Sequence, residues 1–434
     1  MSAVLAAPAW RGGWAQGLAY GGLGLPLAFV ALPLYVVLPN HYAAEFGIPL
    51  ATLGALLLFA RLADALADPF IGRGVDALFA RSAVLVLGTA TAAAVVLALG
   101  FRGLFFPFPA VEGTTALLWW CAALLLVTYL AYSVLAVLHQ AWGARLGGGE
   151  GQRARIVSWR EGLALVGVLV ASVLPSVAGL SVASVVFALA LAAGVVLLAR
   201  APAPRLGATS GRPASLAAPL RTPAFRRLLA IYLVNGVASA VPATLVLFFI
   251  RDRLQAQAFE PLFLASYFAA GALSMPLWVG AVARFGLART WLAGMALAIA
   301  TFAWAALLGA GDVAAYTAVC IASGIALGAD LTLPGAMLAG VIQRAGHGEQ
   351  LEGAYFGWWN FATKLNLALA AGVALPTLAL FGYAPGSRDD DALVALTIAY
   401  CLLPCALKLL AAALLWRLWL EPEAHTRTDE RGPR

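Results

Sequence analysis

Apolar segments of roughly 20 residues, the length that carries a helix across about 30 Å of hydrocarbon, recur from one end of this chain to the other. In lipid only helices and closed barrels satisfy every backbone N–H and C=O. These segments are built from Leu and Ala, strong helix formers, and lack the short alternating pattern of barrel strands. The expectation is an all-α integral membrane protein with twelve transmembrane helices. They begin near Gly17, Leu50, Val84, Ala116, Ile156, Leu180, Leu228, Leu262, Thr290, Val313, Gly353 and Leu393. Composition agrees, because 63% hydrophobic and 11% charged residues with a mean hydropathy of +0.91 lie far outside soluble norms.

Arginine placement orients the helices, since basic residues near helix ends stay on the cytoplasmic side. With both termini inside, the inner loops hold Arg73, Arg81, Arg145, Arg153, Arg155, the run from Arg200 to Arg227, Arg284 and Arg289. The outer loops hold chiefly Arg102, Arg251, Arg253 and Arg388. The net charge of +7 therefore reads as an orientation signal in a multi-pass inner-membrane (plasma-membrane) protein, and no nucleic-acid partner is expected. The opening "MSAVLAAPAWRGGW" lacks a basic region followed by an apolar core and cleavage site, so the first helix is expected to act as the insertion signal.

The stretch "RAPAPRLGATSGRPASLAAPLRTPAFRR" is rich in Pro, Gly, Ser and Arg and divides the helices six and six. It predicts an N-terminal bundle over 1–200, a cytoplasmic linker over 201–222, a C-terminal bundle over 223–420 and a polar, disordered tail over 421–434. "GRGVDALFAR" after the second helix and "GAVARFGLAR" after the eighth are weakly similar, as related halves require. Cys121, Cys320, Cys401 and Cys405 fall in apolar segments and form no metal or redox pattern. No phosphate-binding loop or nucleophile motif points to an enzyme, and no cofactor is expected.

What remains is a short set of ionisable residues within the hydrocarbon, each costing about 2.5–3.5 kcal/mol at a helix centre. The stretch "RLADALADPFIGRGVD" puts Asp64 and Asp68 at i, i+4 on one helix face, with Arg61 one turn before. Two carboxylates that close in low dielectric repel, so one holds a proton or both share a cation. Na⁺ or H⁺ binding is one reading; a salt bridge of Arg61 with one aspartate is the other. Pro69 cannot donate to the Ala65 carbonyl, which leaves that oxygen available as a further ligand.

At these residues the sequence resembles the glycoside-pentoside-hexuronide cation symporter family of the major facilitator superfamily, best known through melibiose permease. The likeness extends through "YGGLGLPLAFVALPLYVVLP", "HQAWGARLGGGEGQRARIVSWREGLALVG", "LLAIYLVNGVASAVPATLVLFFIRD", "GADLTLP" and "EGAYFGWWNFATKLNLALAAG". It implies two six-helix bundles around a central cavity, with solute bound near the midplane and released by rocking of the bundles. Asp64 and Asp68 match the family's cation-binding acids, so Na⁺ at these two carboxylates is the one metal ion implied. Lys364, one of only two lysines, matches the basic residue that couples the cation site to movement, and Arg61 is grouped with it. A permanent salt bridge is the alternative role for Lys364.

For the solute, the resemblance points to Arg160 on the fifth helix, with lipid-phosphate contact at the inner end as the alternative. Glu161 follows it, and neighbours about 100° apart on a helix are not expected to line a cavity equally. Trp142, Trp358, Trp359 and Asn360 are candidate cavity residues, although aromatics at helix ends also anchor at the interface. Asn235 on the seventh helix is a further candidate for solute binding, with a helix-to-helix hydrogen bond as the competing role, and Asp330 is a polar position of the tenth helix. His139 and Glu352 are expected near the inner surface, in contact with water, with gating contacts as the alternative.

Departures from the family limit the cargo. The positions where melibiose permease carries sugar-binding acids fall on Ala28 and Ser133, and the expected sodium-holding position falls on Leu130, with Thr128 the nearest hydroxyl before it. Gly340 stands where related sequences often carry an acid. Carboxylates that accept from several hydroxyls give a sugar site much of its specificity, so a melibiose-like galactoside is not expected. The reading is a monomeric secondary active symporter of a small organic solute such as a sugar or glycoside, driven by Na⁺ or H⁺. A lysolipid-like or anionic amphiphile is the alternative cargo, membrane lipid the surrounding partner, and a transport-incompetent receptor or scaffold the reading from another class.

Overall fold

A computed structural model describes residues 10–111, 113–207 and 215–422. Most of the predicted tail, 423–434, and part of the linker, 208–214, lie outside the described residues. Every regular element among the described residues is helical. Ten helices among the described residues are long and apolar enough to cross a membrane. One of them, Glu150–Ala199, is really two helices that meet at Gly179, whose φ of 82° is open to glycine but costly for other residues. Leu50–Phe79, at 30 residues, is also long enough to cross, and it carries Arg61, Asp64, Asp68, Arg73 and Asp76. The expected twelve helices are thus all present.

In chain order these are α1 (Trp14–Phe46), α2 (Leu50–Phe79), α3 (Ala83–Phe105), α4 (Thr114–Arg145), α5 (150–178), α6 (180–199), α7 (Pro223–Arg253), α8 (Gln257–Phe285), α9 (Leu287–Ala305), α10 (Val313–Arg344), α11 (Glu352–Leu380) and α12 (Asp390–Leu420). The chain divides into two compact units. The first runs to Pro219 and includes Ile342–Phe361; the second holds Leu220–Val341 and Ala362 onward.

Within the first unit, glycine lets α1 and α5 approach closely. A Cβ on Gly21 would stand 2.6 Å from the Trp159 carbonyl, one on Gly24 would stand 2.5 Å from the Arg160 carbonyl, and one on Gly167 would run into the Leu25 carbonyl. Small residues at such seams replace the hydrophobic drive that lipid cannot supply. The seam fixes where Arg160 stands. α1 is broken after Gly21 and takes a wider π turn over Pro33–Val37, which places Tyr35 on a local bulge in the helix.

The second unit packs around an aromatic core. Phe249 stacks on Tyr400 with ring centroids 4.2 Å apart, and the Tyr400 and Tyr316 hydroxyls hydrogen-bond at 2.6 Å. That bond satisfies two buried phenols. In the loop after α11, Tyr383 donates to Asp252 Oδ2 at 2.5 Å, and the Gly386 N–H adds a bond of 3.0 Å.

Candidate functional site

The polar residues of the first unit converge from α1, α2, α4 and α5. Asp64 and Asp68 are buried, at 3% and 0% exposure, although their helix presents Leu62, Leu66 and Phe70 to the outside. The i, i+4 spacing therefore does turn both acids inward while Leu62, Leu66 and Phe70, which repeat at the same interval, face outward. Ser133 on α4 donates to Asp64 Oδ1 at 2.6 Å.

Arg61 takes a different partner from the one its spacing suggested. Its guanidinium carbon stands 3.5 Å from the centroid of the Tyr35 ring, on the bulge of α1, and Tyr129 lies alongside with its ring 6.0 Å from Tyr35. A cation over a π face is stabilised by the ring quadrupole, by up to about 2 kcal/mol when desolvated. Tyr132, half-buried, lies within electrostatic reach of Tyr35, Asp64, Asp68 and Glu161.

The next pair is Arg160 with Glu161. Arg160 Nε and Nη2 both donate to Glu161 Oε1, at 2.9 and 2.5 Å. The expectation that adjacent residues would diverge is corrected here: the long guanidinium curls back over its neighbour, and the two form one neutral unit. Contact with lipid phosphate is corrected too, because α5 starts at Glu150 rather than near Ile156 and Arg160 is only 9% exposed. Tyr20 also lies within reach of Arg160.

His139 and Glu352 are not in contact with water. His139 is fully buried; its Nε2–H donates to the Tyr20 carbonyl at 2.7 Å, and the Tyr20 hydroxyl donates back to the His139 carbonyl at 3.1 Å. The notch left by Gly143 accepts that hydroxyl. Glu352 pairs with Arg145 at 2.9 Å, and the same Arg145 Nη2 meets Asp76 Oδ1 at 3.1 Å. Asp76 also accepts from the Gly353 and Ala354 N–H groups at 2.7 and 2.8 Å, capping the first turn of α11, where the helix dipole favours an anion. Asp76 ends the quoted motif, and its capping role, set by residues 277 and 278 positions away, escaped the sequence reading.

The aromatic candidates are largely spent on backbone. Trp142 donates its indole N–H to the Pro202 carbonyl at 3.0 Å and packs edge-on against Phe79; Trp358 donates to the Leu216 carbonyl at 2.9 Å. Trp359 and Asn360 are buried in the first unit. In the second unit Lys364 is half-buried on α11, and Asn235 joins Asp330 and Lys408 in a hydrogen-bonded cluster. Lys408 escaped the sequence reading, and the rarity of lysine in this chain was the clue to it.

The model of the family described as MFS/sugar transport protein matches residues 17–421. No curated protein sequence matches the chain. Among solved structures, a bacterial homologue of the iron transporter ferroportin in its outward-facing state aligns with a TM-score of 0.68 at 16% identity, covering 92% of this chain and 98% of that one. The E. coli fucose:proton symporter aligns at 0.66 and 14%, covering 92% and 98%. The human organic anion transporter aligns at 0.61 and 16%, again covering 92% and 98%. At such identities the likeness is one of fold.

Proposed function

Since the chain belongs to the MFS/sugar transport protein family, whose members carry solutes across membranes rather than catalyse reactions, we propose that it is a cation-coupled symporter of a small organic solute, working by alternating access in an inner membrane with both termini cytoplasmic. The observation that carries this reading is the burial of Asp64 and Asp68 on one face of α2, with Ser133 hydrogen-bonded to Asp64. Two enclosed carboxylates are stable together when a proton or Na⁺ reduces their charge, which is what a coupling-ion site requires. Lys364 is assigned the coupling role that the motif likeness gives it, and Arg61, held over Tyr35, contributes positive potential nearby.

The solute side rests on Arg160, Glu161 and Tyr132. A neutral Arg–Glu unit offers both donors and acceptors, which suits hydroxyl-bearing solutes of the sugar class. An anionic amphiphile is the second reading, supported by the absence of acids at Ala28 and Ser133, since Ser133 spends its hydroxyl on Asp64. Reconstitution into proteoliposomes, with labelled sugars and lysolipids offered under an imposed Na⁺ or pH gradient, tests both. One inward gradient is expected to accelerate uptake of one class, and Asp68→Asn is expected to abolish that acceleration. Absence of accumulation under either gradient would overturn transport coupling and favour a receptor.

A further inference from the structure

The second unit holds a closed polar cluster that the transport reading leaves unused. Lys408 Nζ, near the middle of α12, lies 2.6 Å from Asp330 Oδ2, 2.9 Å from Asn235 Oδ1 and 3.1 Å from Ser239 Oγ. Its three protons therefore each have one oxygen acceptor. Asp330 is equally saturated: Oδ1 accepts from Asn235 Nδ2 at 3.1 Å and Trp291 Nε1 at 2.9 Å, and Oδ2 accepts from Ser239 Oγ at 3.2 Å as well as from the lysine. The pattern fixes every role. Asn235 must point its oxygen at the ammonium and its nitrogen at the carboxylate, and Ser239 must accept from one and donate to the other.

The side chains of Lys408 and Asp330 are only 3% and 11% exposed. Three oxygens from α7 and α10, one of them anionic, thus surround a single positive charge in an enclosed space. Oxygen ligands of this kind, a carboxylate, an amide carbonyl and a hydroxyl, are those that hold hard cations.

We infer that this cluster is a monovalent-cation site whose occupant is tethered: the Lys408 ammonium stands where an ammonium-sized ion would bind, with Asp330, Asn235 and Ser239 as its ligands. A tethered cation cannot leave, so the second unit carries its ligand through every state. Where the symport reading holds, exchange of the coupling ion is then confined to the first unit. The inference itself concerns binding alone and stands apart from that reading.

The test is cation rescue of the purified full-length protein. Lys408→Ala leaves the carboxylate buried without its charge partner and is expected to melt roughly 5–10 °C below wild type in choline chloride. Ammonium chloride is expected to restore at least half of that loss along a saturating curve, with sodium and potassium as further probes and tetramethylammonium at equal ionic strength as the screening control. Wild type and the doubly neutral Asp330→Asn/Lys408→Met variant are expected to ignore ammonium, and the double variant to fold in choline.

The inference is overturned by a Lys408→Ala protein that ammonium stabilises no more than it stabilises wild type, or that cannot be obtained folded in any of these salts. A double variant as unstable as the single one counts against it equally, since no unpaired charge would then explain the loss.

Discussion

Ser133 on α4 hydrogen-bonds Asp64 on α2 at 2.6 Å, with both side chains buried. A hydroxyl that donates to a carboxylate fixes the orientation of its oxygens and offsets part of its charge, so losing it is felt by any ion the carboxylate holds. Ser133→Ala removes a bond to a charged group worth about 1.5–3 kcal/mol. If H⁺ drives uptake, its dependence on pH is expected to change. If Na⁺ drives it, the half-saturating sodium concentration rises about tenfold or more. Uptake titrated against pH and against sodium reads both, and unchanged values in both would remove Asp64 from the ion site.

Lys364→Ala tests the coupling role directly. Accumulation driven by the ion gradient is expected to vanish, while expression and Tm stay close to wild type, because a half-buried side chain is replaced by a smaller one. The measurement is uptake with and without the gradient beside counterflow exchange, which needs no driving ion. Retained gradient dependence would assign Lys364 a structural role.

Glu161→Gln leaves Arg160 with a neutral neighbour where it now has two hydrogen bonds to a carboxylate. The freed guanidinium favours anionic solutes, so competition by lysolipids or organic acids is expected to strengthen and that by uncharged sugars to weaken, each by roughly tenfold for 1.4 kcal/mol. Inhibition constants for one member of each class decide the matter. Parallel changes in both would place the pair outside the solute site.

The membrane architecture was legible because lipid leaves so few choices: helix starts predicted at Leu50 and Val313 are the observed ones, and most others fall within a few residues. Side-chain partners were less legible. Spacing correctly turned Asp64 and Asp68 inward but offered Arg61 an aspartate, because the rival, Tyr35, stands on a π bulge of another helix that no periodicity reveals. The same limit hid Arg145 from Asp76 and Lys408 from Asp330, pairs 69 and 78 residues apart. A charge in lipid announces that a partner exists; only the packing of helices says which one.

Asp76→Asn takes one anion from a cluster in which Arg145 has no exposed surface. Its amide can still accept from one helix N–H but not from both, and Arg145 keeps only one carboxylate, Glu352. Removing one member of a buried ionic group costs about 3–5 kcal/mol. A marked fall in Tm is expected, and Arg145→Lys is expected to lose nearly as much, since an ammonium cannot reach Asp76, Glu352 and the Glu349 carbonyl at once. A stable Asp76→Asn protein would mean that the cluster is dispensable for folding.

The seam beneath that cluster makes the last prediction a comparison within one helix. A Cβ on Gly72 would run into the Gly353 carbonyl, and one on Gly353 would meet the Gly72 carbonyl and stand 2.9 Å from Asp76 Oδ1. These obstacles are mainly backbone, which cannot swing aside as a side chain can. Gly72→Ala must therefore push α11 away from α2, stretching the bonds from Gly353 and Ala354 to Asp76, at a cost of about 1–3 kcal/mol. Gly74, two residues on, has nothing within 4 Å of a Cβ, so Gly74→Ala is expected to gain roughly 0.5–1 kcal/mol from helix propensity alone. The two alanines should move Tm in opposite directions. Because Gly72 acts through the Asp76 contacts, Gly72→Ala combined with Asp76→Asn should lose less than the two single losses together. Strict additivity would show the seam and the ion cluster to be independent.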